Sequence, residues 1–226
     1  MKVKTEETLP SASRLIAALS QIGYRLEDSI ADLVDNSISA GASEVLIRFE
    51  HDEENIQRIM IVDNGHGMSR SRLREAMRFG SEKSDEPISL GKFGLGMKLA
   101  SLSYCDDLTV STRKNRRGAA RRWTVSNISS GWNCEVLTAS SARSTISTAF
   151  ADIDMKERGT AVIWQALKNL PTHKRGIRSV LGSIERRLRL HLGLRFHRFI
   201  ESGALVIKMD QQVAHRPIVP FWIEIE

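Results

Sequence analysis

The sequence predicts an α+β fold: a two-layer sandwich with helices packed on one face of a mixed, mainly antiparallel sheet. Three observations predict it. Helical periodicity is concentrated early, over residues 11–22, 25–39, 69–79 and 93–103. Two strand-like runs, 44–50 and 56–63, interrupt those helices. A series of short strand-like runs then follows, as in an antiparallel meander. Helices grouped before a run of strands belong to sheets covered by helices on one side.

Each element has a local cause. SASRLIAALSQI (11–22) reads as a capped helix, with Ser11 or Ser13 as N-cap and Gly23 as the stop. In residues 25–39, Leu26, Ile30, Leu33 and Val34 recur at helical spacing, and AGAS (40–43) ends the helix. EVLIRFE (44–50) and IQRIMIVD (56–63) are strands joined by the polar turn HDEEN. SRSRLREAMRF (69–79) is a short helix. Residues 80–92, with Gly80, Pro87 and Gly91, form a loop, and FGLGMKLASLS (93–103) opens on glycines and continues as a helix. DLTVSTRK, ARRWTVSN, WNCEVLT, STISTAF and TAVIWQAL supply the meander. After Pro171 a long basic helix aligns Ile177, Leu181, Ile184, Leu188 and Leu192 on one face. ALVIKMD (204–210) is a further strand, and PIVPFWIEIE closes the chain. The expected division is residues 1–170 as one domain and 171–226 as a basic linker helix with the start of a second α/β domain, in a truncated piece of a longer protein.

Composition narrows the function classes. The 226 residues are 41% hydrophobic and 27% charged, the balance of a globular chain. No stretch reaches the roughly 20 apolar residues that span a bilayer, so no membrane partner is expected. MKVKTEETLP lacks the apolar segment of a secretion signal. Cys105 and Cys134 have no metal-ligand spacing and read as ordinary thiols of a reducing compartment, which places the chain in the cytoplasm. The net charge of +6 is uneven. Residues 1–60 hold eleven acids against six bases, 113–122 (RKNRRGAARR) six bases and no acid, and 171–200 eight Lys/Arg and one acid. The two basic segments are either solvated faces, the first a hairpin tip, or contacts for nucleic acid.

Three motifs carry chemistry. In EDSIADLVDNSISAGA, Asp28, Asp32, Asp35, Asn36 and Ser39 fall on one helix face. That face is either a solvated acidic surface or one where a divalent cation relieves carboxylate repulsion, and an oxygen-only set suits Mg²⁺. DNGHGM (63–68) places a carboxylate, an amide and two glycines at the end of an apolar strand. GKFGLGMK (91–98) sets Gly91, Gly94 and Gly96 before Lys98 at a helix start, either for tight turns or to let phosphate oxygens approach backbone N–H groups. It has neither the Walker spacing nor the dinucleotide fingerprint. The lone histidines, His66 among them, read as surface groups, and Trp123, Trp132, Trp164 and Trp222 as core or interface.

Taken in order, the acid-x-x-x-Asn helix, the Asp-x-Gly-x-Gly turn and the Gly-x-x-Gly-x-Gly loop resemble the GHKL nucleotide-binding (Bergerat) fold. RGTAVIWQAL (158–167) resembles that family's late Gly-Thr strand. The family includes the ninety-kilodalton heat-shock chaperone, type II topoisomerases, MutL, MORC proteins and histidine kinases. The likeness covers about residues 14–170 and is nearest the MORC, MutL and heat-shock branch.

The resemblance implies Mg²⁺-dependent ATP binding with slow hydrolysis to ADP, driving lid closure and homodimerisation. The alternative is an ATP-gated binding module, without turnover, acting on nucleic acid or a protein partner. Asn36 would ligate Mg²⁺, with Ser39 and Ala40 lining the pocket beyond it. Asp63 would accept the adenine amino hydrogen, Gly65 and Gly67 would make room for the base, Met68 would lie against it, and Thr160 would bond near Asp63. Gly91, Gly94 and Gly96 would wrap the phosphates with the backbone of Lys92, Phe93, Leu95 and Met97 and with Lys98. Residues 80–92 would be the lid, with Ser81 and Lys83 touching nucleotide. Residues 171–226 would begin a transducer-like domain.

One position departs from the pattern. Asp32 stands where hydrolytic members carry Glu as the base that activates water, and its side chain is one methylene shorter. A general base needs about 2.6–3.2 Å to the proton it takes.

Overall fold

The computed structural model describes residues 6, 11–21, 23–79, 96–138, 140–141, 153, 157–171, 176–213 and 223–224. Eight strands form one sheet: β1 (Glu44–His51), β2 (Ile56–Asp63), β3 (Cys105–Lys114), β4 (Arg117–Thr124), β5 (Glu135–Val136), β6 (Gly159–Leu167), β7 (Val206–Val213) and β8 (Ile223–Glu224). Their order is β5-β4-β3-β6-β2-β1-β7-β8. Among the described pairings only β1–β7 is parallel. The mixed, mainly antiparallel α+β sheet is the one the sequence predicts.

Among the described residues six helices accompany it: α1 (Ala12–Ser20), α2 (Leu26–Ser39), α3 (Arg70–Met77), α4 (Gly96–Leu102), α5 (Val125–Ser129) and α6 (Ile177–Glu201). All six contribute to one apolar layer with the odd-numbered residues of β1, among them Ile16, Ile30, Val34, Leu73, Leu102, Ile128, Leu188, Val45 and Ile47. The period of two along a strand sends the even residues of β1 to the far face. There Leu46, Met60, Val62, Ala161 and Ile163 form a second buried cluster with Ile153. Five consecutive buried residues, Val45 to Phe49, follow from burial on both faces.

The HDEEN turn is closed by Asp52, whose Oδ1 accepts the N–H groups of Glu54 (2.8 Å) and Asn55 (2.7 Å). Ser69 caps α3 by accepting the Arg72 N–H at 3.2 Å. The expected meander is interrupted. ARRWTVSN leaves the sheet at Thr124, whose hydroxyl accepts the Asn127 N–H and starts α5 in place of further strand. Only Glu135–Val136 of WNCEVLT pairs, and STISTAF lies outside the described residues. β6 does not follow β5 in space; it inserts between β3 and β2.

The division expected at residue 170 does not interrupt this architecture. α6 buries Val180, Leu181, Ile184, Leu188, Leu192 and Phe196 in the helical layer. β7 then lies parallel on β1, from Glu44↔Val206 to His51↔Val213. Among the described residues no helix is long and apolar enough to cross a membrane.

Candidate nucleotide site

The register builds one row across the sheet: Val45 opposite Asp63, Asp63 opposite Thr160, and Thr160 opposite Thr112. Directly opposed residues share a face, so all point to the helix side. α2 passes over this row and brings Ser37 to Asp63.

Asp63 is 6% exposed. Its Oδ1 accepts the Gly65 N–H at 2.9 Å and its Oδ2 accepts the Ser37 hydroxyl at 3.2 Å. Burial pushes its carboxyl up to about 6, against those two hydrogen bonds and the Thr160 backbone, which favour the charged form. Asn64 ties the turn to the α2–β1 connection, its Oδ1 accepting the N–H groups of Ser43 (2.9 Å) and Glu44 (3.1 Å). The His66 N–H donates to the Ala40 carbonyl at 2.9 Å, while the residue itself is exposed.

Two glycines are required for steric reasons. A Cβ on Gly65 would stand 2.8 Å from the Ala40 Cβ and 2.9 Å from Asp63 Oδ1. Gly67 has φ +63°, and a Cβ there would collide with the Arg113 carbonyl. The turn therefore presents bare backbone beside a buried acceptor. That arrangement fits a flat heterocycle with an exocyclic amine.

Met68 is half-buried against the helical layer, and its N–H donates to Thr112 Oγ1 at 2.8 Å. Thr112 in turn donates to the Gly159 carbonyl (3.0 Å) and lies 3.2 Å from Thr160 Oγ1. Ser37 and Thr112 belong to this network, yet the sequence reading singles out neither. Ser37 sits in the triplet Asp35-Asn36-Ser37, where its offset from Asn36 hides it. Thr112 has no signal short of the strand register.

The other expected residues divide into three groups. Asn36 and Ser39 are exposed and Ala40 half-buried at the C-terminal end of α2, beside the turn. Gly96 and Met97 open α4, and Lys98 is buried there with its Nζ donating to the Arg78 carbonyl. Burial lowers the Lys98 ammonium to about 8. Ser81, Lys83, Gly91, Lys92, Phe93, Gly94 and Leu95 lie outside the described residues.

The acidic face of α2 packs against basic side chains of α6. Arg187 Nε lies 2.5 Å from Glu27, His191 Nε2 3.2 Å from Asp28, and Arg195 Nη2 3.1 Å from Asp32, and the same Nη2 also bonds Asp35. The Arg187 and Arg195 guanidiniums thus relieve repulsion at Glu27, Asp32 and Asp35, and neither a metal ion nor solvent is needed to explain the spacing of those three. Asp32 still feels burial most, and its carboxyl is raised despite Arg195. Among the described residues no group of three or more His, Cys, Asp or Glu is placed to hold a metal. An oxygen site of one amide completed by phosphate oxygens needs no such group, and exposed Asn36 fits that donor set.

The two basic segments, read from sequence as either solvated faces or nucleic-acid contacts, are placed differently. Arg187 and Arg195 of 171–200 face α2. RKNRRGAARR forms the β3–β4 hairpin tip, with Asn115 (φ 49°) and Arg116 (φ 64°) in the turn. Arg116 pairs with Glu157 at 2.8 Å, and Arg122 bonds Asp107. Trp123 and Trp164 are core residues: Trp123 stacks on Phe79 with centroids 4.5 Å apart, and Trp164 donates to Ser101 at 2.8 Å.

The chain is similar to the DNA mismatch repair protein MutL of Wolbachia sp. subsp. Brugia malayi, 32% identical over 113 residues, covering 48% of this chain and 17% of that protein. It is similar to MutL of Herminiimonas arsenicoxydans at 28% over 118 residues, covering 50% of this chain and 19% of that protein. The match thus spans less than a fifth of each relative. A crystal structure of the N-terminal domain of a DNA repair protein superposes with TM-score 0.55 at 17% identity, over 91% of this chain and 54% of that one, and shares the fold. Residues 24–160, more than half of the chain and inclusive of α2, the Asp63 turn and Thr160, match the family described as Histidine kinase-, DNA gyrase B-, and HSP90-like ATPase, and the chain belongs to that family.

Proposed function

We propose that this chain binds ATP with Mg²⁺ at the α2–β2 turn site and hydrolyses it slowly, as a switch that closes and dimerises on the nucleotide. The observation that carries the reading is the buried Asp63 acceptor set beside a turn whose glycines admit no side chain. Asp63 accepts the adenine amino hydrogen. Ser37 and the Gly65 N–H hold its carboxylate in one orientation before the base arrives, which lowers the ordering cost of binding. Thr112 and Thr160 fix the neighbouring wall.

Asn36 and the residues around Gly96 flank the triphosphate, with 91–98 as the phosphate loop and Asp32 as the base that takes a proton from the attacking water. Asn36 would hold Mg²⁺ together with phosphate oxygens, and the ion when bound would neutralise charge that develops on transfer. Catalysis of phosphoanhydride cleavage then rests mainly on positioning. The matched relatives are DNA mismatch repair proteins, which supports nucleic acid as a partner of the whole protein.

The test is ATP binding and Mg²⁺-dependent phosphate release by the parent, Asp32→Asn and Asp63→Asn. Asp63→Asn should lose binding. Asp32→Asn should keep binding and lose turnover. Equal turnover in all three would sink the reading. Bound nucleotide with no phosphate released by the parent would select the non-hydrolysing gate.

A further inference from the structure

Arg195 reaches the proposed base from a distant part of the chain. Its Nη2 bonds Asp32 Oδ1 at 3.1 Å and, at the same time, Asp35 Oδ2. Arg195 is set on α6 between Leu192 and Phe196, both buried, and its guanidinium lies 5.8 Å from the Phe196 ring. The Arg195 side chain, 37% exposed, is thus held by Asp35 and against the Phe196 ring as well as by Asp32.

We propose that Arg195 is the positioning residue for Asp32, anchoring one carboxylate oxygen on the α6 side so that the other is held toward the water of the nucleotide site. The inference rests on the reading of Asp32 as the base. A Glu at this position could swing its longer side chain into place. Asp32 has one methylene less and gains its placement from outside the helix. A planar guanidinium suits the task because its donors diverge in a fixed fork and can serve two carboxylates together.

Burial raises the Asp32 carboxyl most, and the charged groups around it pull in opposite directions. Arg195 favours its ionised, proton-accepting form, while Asp35 and Asp28 of α2 oppose it. On α6, His191 stands against Asp28. Lys98 of α4 donates to Arg78, and Asp63 of β2 is held by Ser37 and Gly65, so neither takes the place of Arg195.

The experiment compares Arg195→Ala, Arg195→Gln, Arg195→Lys, Asp32→Asn and the double variant Arg195→Ala/Asp32→Asn in steady-state ATP hydrolysis, with nucleotide affinity measured separately. Loss of positioning should lower kcat about tenfold, part of the 10²–10⁴ of a general base, with KM and affinity within about twofold. Arg195→Lys should recover part of that loss. Arg195→Gln, which keeps much of the side-chain volume, should behave as Arg195→Ala and guards against a folding defect in the smaller variant. The double variant should turn over no more slowly than Asp32→Asn. An equal slowing by Arg195→Ala in the parent and in the Asp32→Asn background would overturn the proposal, because the effect would then not run through Asp32. A rise in kcat on removing Arg195 would overturn it too, marking a brake. Undiminished turnover in Asp32→Asn alone would remove the assignment of Asp32, and that result is separate from any obtained with Arg195.

Discussion

At Asp63, burial raises the carboxyl to about 6 while Gly65, Ser37 and Thr160 pull the other way. An adenine amine donates to the ionised carboxylate, so binding releases a proton wherever Asp63 is protonated beforehand. ATP affinity should therefore be flat above pH 6 and weaken about tenfold per unit below it, read by titration between pH 5 and 8. The stability sign is opposite. An acid with a raised folded pKa stabilises the fold below its unfolded value of 3.8, and that contribution is lost as pH rises through 6. At neutral pH the charge costs roughly 3 kcal/mol in the ligand-free fold. Asp63→Asn removes that cost, and its amide can donate to Ser37 Oγ, leaving the one Ser37 hydroxyl hydrogen, shared in the parent between Asp63 and the Leu33 carbonyl, to Leu33 at 3.1 Å. The variant should lose ATP yet melt several degrees higher at pH 7.5, the gain shrinking toward pH 5.

At the scale of the element, α2 and α6 show what a sequence does and does not disclose. The apolar stripes of both helices are legible because a helix brings residues three and four apart onto one side. Their pairing is not, since the acids of α2 and the bases of α6 lie some 160 positions apart and each set alone reads as a solvated face. Only packing shows that Arg187, His191 and Arg195, one turn apart, meet Glu27, Asp28, Asp32 and Asp35. Thr124 is a related case. Strand-forming neighbours favour continuing β4, and a local hydroxyl cap wins. The contact at Glu27 is the most buried rung, with a side chain only 6% exposed against 44% for Arg187. Removing the guanidinium leaves a buried carboxylate with Arg25 at 3.6 Å. Arg187→Ala should lower stability by about 1–2 kcal/mol, whereas Arg186→Ala, on the exposed side of the same helix, should stay within about 0.5 kcal/mol. Urea unfolding of the two variants separates an ion-pair effect from a general loss of helix.

For the whole molecule, the question is where the folding unit ends. A change from meander to basic helix at residue 170 looks like a domain junction because linkers and helices both follow prolines. Three-dimensional pairing gives β7 a different standing. Arg48 and Asp210 face each other across the parallel β1–β7 register, with Arg48 Nη2 2.7 Å from Asp210 and the two side chains 1% and 2% exposed. A buried pair of this kind is costly to break from one side, so Asp210→Ala should destabilise the chain by roughly 3–5 kcal/mol. Replacing both partners together, Arg48→Met with Asp210→Leu, should cost less than the single change. The same reasoning applies to a larger cut. Residues 1–170 alone would lack the six side chains that α6 buries, Val180 to Phe196, together with Ile207 and Met209 of β7. At about 1.5–3 kcal/mol for each buried apolar side chain, that loss is on the order of 10 kcal/mol, comparable with the whole stability of a typical domain, about 5–15 kcal/mol. Residues 1–170 should therefore show no cooperative thermal transition where the full chain shows one. A sharp transition in the shorter chain at the same midpoint would place the folding boundary at 170 and make α6 and β7 accessories to a sheet that stands without them.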